Sequence, residues 1–168
     1  MTEPTRAAVL VPVCVVDDAA HVVFIQRSHD APVHGGDIAY PGGRYDPARD
    51  DSLLATALRE AEEEIGLAAA AVELLQALPE VRTLSSNFLI APFAGRIPHP
   101  YAFATDPREV AALLTIPVAQ LHAPAARQRV PRRLTNGVDV TVDAFVVGPH
   151  VIWGATYRIT EELLQVLG

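Results

Sequence analysis

The sequence predicts an α+β fold on a mixed, largely antiparallel β-sheet, and three observations carry that expectation. Two β-branched runs, "AAVLVPVCVV" (7–16) and "HVVFIQRS" (21–28), flank the turn-like "DDAA" and read as paired strands. Asn136-Gly137 sits between the alternating segments of "RRLTNGVDVTVDAFVV" (132–147), a β-hairpin signature. Helical periodicity is confined to two main stretches, so strands dominate the first half and the 70–147 region.

In chain order, the pattern breaks after the first pair. "HDAPVHGGDIAYPGGRYDPARDD" (29–51) is rich in Gly and Pro and reads as a loop interrupted by a short strand near 37–40. From about Ser52 to Ile65, Leu54, Leu58, Ala61 and Ile65 recur at helical spacing; Asp50 and Asp51 suit the positive helix start and Gly66 suits its C-terminal cap. "AVELLQALPEV" and "SNFLIAPFAGRI" read as further strands, and "EVAALLTIPVAQLH" as a strand leading into a short helical turn. "GATYRITEELLQVL" (154–167) closes the chain as an amphipathic helix.

A chain of 168 residues predicts one domain spanning 1–168. No apolar run reaches the roughly 18 residues a bilayer crossing requires, and the N-terminus lacks the basic region of a signal peptide, so a cytoplasmic protein is expected. Cys14 is the only cysteine, which excludes an intrachain disulfide, and its apolar context predicts burial. The net charge of -7 argues against nucleic-acid or anionic-membrane partners. All 13 basic residues other than histidine are arginine, which excludes Schiff-base and P-loop-lysine chemistry. Any phosphate would be held by Arg, backbone N–H groups or a metal.

The segment "LREAEEEIGL" (58–67) crowds four glutamates into little more than one helical turn. At about 100° per residue, Glu60, Glu63 and Glu64 share one face, roughly opposite Leu58, Ala61 and Ile65, while Glu62 points elsewhere. Like charges at this spacing cost only about 0.2–0.5 kcal/mol per pair, so a solvated acidic face and a metal site both stay open on the helix alone. The preceding "YPGGRYD" (40–46) favours the metal: two glycines allow a sharp turn or close backbone approach, and converging carboxylates suit Mg²⁺ or Mn²⁺. Arg59, one turn before Glu63, can fix its carboxylate. Asp46, Asp50 and Asp51 lack the spacing of an EF-hand loop.

"GGRYDPARDDSLLATALREAEEEIGL" resembles the Nudix box, G-x5-E-x7-R-E-U-x-E-E-x-G-U with U aliphatic, matching at Arg59, Glu60, Ala61, Glu63, Glu64, Gly66 and Leu67. The resemblance implies an α/β/α sandwich and hydrolysis of nucleoside diphosphate derivatives with Mg²⁺ or Mn²⁺ held by box glutamates. It makes Glu60 and Glu64 metal ligands, Glu63 a further ligand or the base, and Arg59 the residue that orients them. Counting back from Arg59, the opening Gly falls on Tyr45 and the first Glu on Asp51, so Gly42-Gly43 comes two residues early; Asp51 or Asp50 is the substitute acid.

"RSHDAPVHGGDIAYPGG" (27–43) resembles the upstream motif of a coenzyme A pyrophosphatase subgroup, R-S-x-x-L-R-x-H-x-G-x-x-x-F-P-G-G, at Arg27, Ser28, His34, Gly36, Pro41, Gly42 and Gly43. Ala31 and Pro32 stand where that subgroup has Leu and Arg. The resemblance implies coenzyme A or an acyl derivative as substrate, with Arg27, His34, Gly42 and Gly43 in the binding site. ADP-ribose, NADH or another nucleotide is the alternative, and a Nudix-fold sensor without catalysis is the rival of another class. Read without the motif, Arg27 is an edge-strand arginine and His34 a loop histidine. Glu80 and Glu109 are extra ligands or bases, or plain solvated acids. "ARQRVPRR" (126–133) either recognises phosphate, pairs with a neighbouring subunit in a homodimer, or defends a strand edge with charge.

Overall fold

The computed structural model describes residues 2–30 and 35–168. Its strands are β1 (Thr5–Val16), β2 (Ala19–Arg27), β3 (Ile38–Ala39), β4 (Gly42–Arg44), β5 (Glu73–Ala77), β6 (Val81–Arg82), β7 (Phe88–Arg96), β8 (Val110–Pro117), β9 (Arg127–Arg133), β10 (Asp139–Val147) and β11 (His150–Ile152). The α-helices are α1 (Leu53–Ile65), α2 (Val118–His122) and α3 (Gly154–Leu167).

The main sheet runs β3-β2-β1-β7-β5, with β4 on β1, β6 on β7 and β8 on β2; β9, β10 and β11 form a second, three-stranded sheet. Among the described residues only the β1–β7 pairing is parallel, so the expected mixed, largely antiparallel class holds. β1 turns into β2 through Asp17 and Asp18, both at positive φ, the two-residue turn that matches the twist of a hairpin. The Asn136-Gly137 hairpin is also present, with a longer turn in which the Leu134 N–H donates to the Val138 carbonyl.

β1 serves two partners along one edge. Val13–Val16 pair with β2, whereas Ala7–Val9 pair with β4. The strand thus joins the sheet centre to the glycine strand. Alternation along β1 and β2 sends side chains to opposite faces. Ala8, Leu10, Val23 and Ile25 pack with Ala57, Ala61 and Ile65 of α1. Val11, Val22 and Phe24 pack with Phe145 and with Ile159 and Leu163 of α3. This is the α/β/α layering, with each large apolar side chain that it buries contributing roughly 1.5–3 kcal/mol.

Helix α1 begins at Ser52, whose side chain accepts from the Ala55 N–H, and ends at Gly66 in the left-handed conformation, as its sequence signals require. Its buried face differs from the expected stripe. Thr56, Ala57, Ala61, Glu64 and Ile65 are buried, while Leu54 and Leu58 are only half-buried. The 40–46 segment also differs from a plain loop, because Gly42–Arg44 is a strand. Cys14 is buried and free, as expected. Among the described residues, no helix is long and apolar enough to cross a membrane.

Candidate active site

The site is built where β4 lies against α1. A Cβ on Gly43 would stand 2.5 Å from the carboxyl carbon of Glu60, and one on Gly42 would stand 2.3 Å from the Ala8 carbonyl oxygen. A side chain at Gly43 would push β4 away from α1, and one at Gly42 would push it away from β1. Their absence lets the Gly42 N–H donate to Glu64 Oε2 at 3.3 Å.

Arg59 organises the acidic residues. Its Nε donates to Asp50 Oδ1 at 2.7 Å and its Nη2 to Asp50 Oδ2 at 2.9 Å, while Nη1 reaches Glu60 at 3.1 Å and Glu63 at 3.3 Å. Asp50 is 4% exposed and also accepts from the Thr56 hydroxyl and the Asp46 N–H. The Arg59 hydrogen bonds hold its carboxyl well below the usual carboxylate range. Of the two candidate substitutes for the first box acid, Asp50 therefore makes the contact, and Asp51 is exposed.

The three expected ligands occupy different surroundings. Glu64 is 3% exposed, and burial pushes its carboxyl up to about 8; Arg27 opposes that shift, while Glu60 and Glu109 add to it. Burial also raises Glu60, against the pull of Arg59. Glu63 is exposed and takes a hydrogen bond from Arg49 at 2.7 Å besides that from Arg59. The helical-wheel view of Glu60 and Glu64 as opposite the buried stripe needs correction, because β4 covers part of their face. Among the described residues, no group of three His, Cys, Asp or Glu side chains forms a ready-made metal cage. The donor set nevertheless fits a hard divalent cation: carboxylates whose ionisation is opposed by burial and by one another gain most from a nearby positive charge.

Two hollows meet here. An acidic recess of about 400 Å³ is lined by Arg59, Glu60, Glu63 and Glu109 among others. A mostly apolar cleft of about 320 Å³ runs from Arg27, Gly43 and Arg44 to Leu84, Leu134 and Trp153. Arg44 lines both. The acidic recess holds the carboxylate chemistry, and the larger enclosed apolar surface beside it suits the organic part of a ligand.

Among the remaining candidates, Arg27 ends β2 beside the cleft, where its charge reaches Glu64. His34 lies outside the described residues. Glu80 is away from the cluster, paired with Arg6, whereas Glu109 faces the acidic recess. Position along the chain gave no sign that separated these two acids. Arg44 was missed altogether, and its place directly after Gly42-Gly43 was the available signal.

Fold, glycine strand and carboxylate helix together define a hydrolase of the Nudix class. The NUDIX domain model matches residues 4–135, and the chain belongs to the Nudix family as a Nudix hydrolase. It is 35% identical to the human mitochondrial coenzyme A diphosphatase NUDT8 over 98% of this chain and 70% of that protein. It is 33% identical to the Nudix hydrolase NudL of Photorhabdus laumondii over 95% of this chain and 83% of that one. A MutT/nudix family protein from Enterococcus faecalis shares the fold at a TM-score of 0.67 and 18% identity, covering 99% of this chain and 63% of that chain.

Proposed function

We propose that the protein hydrolyses the pyrophosphate bond of a nucleoside diphosphate derivative with a divalent metal, and that its substrate is coenzyme A or acyl-coenzyme A, giving 3′,5′-ADP and 4′-phosphopantetheine or its acyl form. The observation that carries this reading is the packing of Gly42-Gly43 directly against Glu64 and Glu60, at the junction of an acidic recess and an apolar cleft. Similarity to a coenzyme A diphosphatase supports the substrate.

Glu60 and Glu64 would hold Mg²⁺ or Mn²⁺, with Glu63 beside them as a further ligand or as the acceptor of the water proton. When bound, the ion neutralises phosphate oxygens and lowers the pKa of a water. Arg59 fixes Glu60 and Glu63, and Arg27 and Arg44 attract the diphosphate to the cleft wall. His34 is retained as a substrate contact on the motif alone. Hydrolysis forms one P–O bond from water, breaks the bridging P–O bond and passes the proton to a carboxylate. A single cytoplasmic catalytic domain, with a small nucleotide as partner and neither nucleic acid nor membrane, belongs to the same reading.

A panel of coenzyme A, acyl-coenzyme A, ADP-ribose and NADH, incubated with Mg²⁺ or Mn²⁺ and resolved by mass, tests it. Coenzyme A should yield 3′,5′-ADP. Cleavage of ADP-ribose or NADH alone would move the substrate and implicate Ala31 and Pro32; nucleotide binding without any cleavage would replace the enzyme by a sensor.

A further inference from the structure

Helix α1 carries the carboxylates, and the last carbonyls of any α-helix have no partner within it. At this helix end one segment of the chain takes them. The Asp106 N–H donates to the Glu64 carbonyl at 2.9 Å, and the Ala104 N–H to the Ile65 carbonyl at 3.0 Å. The Tyr101 hydroxyl donates to the Gly66 carbonyl at 3.3 Å and accepts from the Ala68 N–H at 3.0 Å. A Cβ on Gly66 would stand 2.9 Å from the Ala104 backbone, so segment and helix end are in direct contact. The rings of Tyr101 and Phe103, with centres 5.0 Å apart, pack on the apolar cluster that α1 covers.

The same segment continues into the site. The Glu109 N–H donates to the Asp106 carbonyl at 3.0 Å, and the Glu109 carbonyl accepts from the Ser28 N–H at 2.9 Å, next to Arg27. The Asp106 carboxylate stiffens this turn by accepting from the Arg108 N–H at 3.0 Å. Backbone hydrogen bonds therefore link Glu64 to Asp106, Asp106 to Glu109, and Glu109 to the end of β2 that bears Arg27. On its side chain, Glu64 accepts from the Gly42 N–H at 3.3 Å, longer than the usual range for such a bond. Where that carboxylate sits thus follows from where its backbone is held.

We propose that the segment 101–109 positions the buried glutamate of the candidate metal site, and that Tyr101 is a positioning residue acting on Glu64 through the end of α1. This rests on the metal-dependent reading above, in which Glu64 is a ligand. Loss of the hydroxyl leaves the ring packed and frees only the Gly66 carbonyl and the Ala68 N–H, so the last turn loosens while the fold remains.

Tyr101→Phe tests the inference with two readouts. In the metal-free protein the Gly42 amide resonance reports the Glu64 side chain, and the variant should move it towards that of a weaker hydrogen bond. In calorimetric titration with Mn²⁺ the variant should bind roughly tenfold more weakly than wild type, the low end of what partners that orient a metal ligand contribute. Added to Glu64→Gln, the substitution should weaken Mn²⁺ binding no further, because both act through one residue. A Gly42 resonance unmoved by Tyr101→Phe, or losses that add in the double variant, would overturn the inference. A moved resonance in a protein whose wild type binds no Mn²⁺ would leave the positioning role standing and remove the metal-dependent reading; Mn²⁺ binding with Gly42 unmoved would do the reverse.

Discussion

Arg59 grips Asp50 with two nitrogens at 2.7 and 2.9 Å, and the same guanidinium reaches Glu60 and Glu63. The buried carboxylate therefore sets the arginine, and the arginine sets Glu60 and Glu63. Removing Asp50 strips Arg59 of its two-nitrogen partner and leaves only Glu60 and Glu63 to hold it. Asp50→Ala should cost about 1–3 kcal/mol in denaturant unfolding. Loss of activity should accompany it even at temperatures where the variant stays folded.

The same contact gives a pH dependence with a definite sign. The folded-state pKa of Asp50 is depressed, so its stabilisation is present above the unfolded value of about 4 and is lost as pH falls through the folded one. Thermal unfolding followed from pH 5 downward should show the midpoint falling in wild type. Asp50→Asn should lose less over that window, and parallel curves would show that the pair is not responsible.

Glu64→Gln separates chemistry from folding. Burial favours the neutral acid at this position, and glutamine has nearly the same shape. The variant should unfold within about 1 kcal/mol of wild type and lose at least about 10²-fold in kcat. A calorimetric titration with Mn²⁺ should show weakened binding.

Gly43→Ala places a methyl group 2.5 Å from the Glu60 carboxyl carbon. The side chain of Glu60 can swing, so stability should fall by only about 1–3 kcal/mol while turnover drops much further. Gly42→Ala meets the Ala8 carbonyl and the Val9 backbone instead, which cannot swing. It should be the more destabilising of the two in a side-by-side melt.

Tyr40 borders the cleft, but its hydroxyl is committed to α3. Its hydroxyl shares a 2.6 Å hydrogen bond with Thr160 beneath the stacked Phe24 ring. Tyr40→Phe should cost about 1–2 kcal/mol and leave KM and kcat near wild type.

What could be read from the chain was local. Ser52 and Gly66 are capping residues whose partners lie within a few positions, so α1 was legible to its ends. The hairpins announced themselves through Asp17-Asp18 and Asn136-Gly137. β4 was not legible, since three residues with two glycines carry no strand pattern and pair only because β1 lies alongside. Burial of Glu64 depends on the approach of Gly42, 22 residues away. The choice between Asp50 and Asp51 likewise turned on which one faces Arg59, a matter of loop geometry rather than composition. The arginines of 127–133 looked alike until the register set Arg129 opposite Asp143, Arg133 opposite Asp139 and Arg132 opposite Val140.

The interval from Asp50 to Arg59 is nine residues, and it spans the capped start of a helix that cannot be lengthened without rotating the arginine off its acid. Upstream of Asp50, the turn from Asp46 belongs to the same anchor, because the Asp46 N–H donates to Asp50 and Arg49 reaches Glu63. Changes of length are therefore best absorbed between Arg44 and Asp46, and not between Asp46 and Glu64. Counted from the glycines the chain stands two residues out of step with the box, and counted from the buried aspartate it stands one.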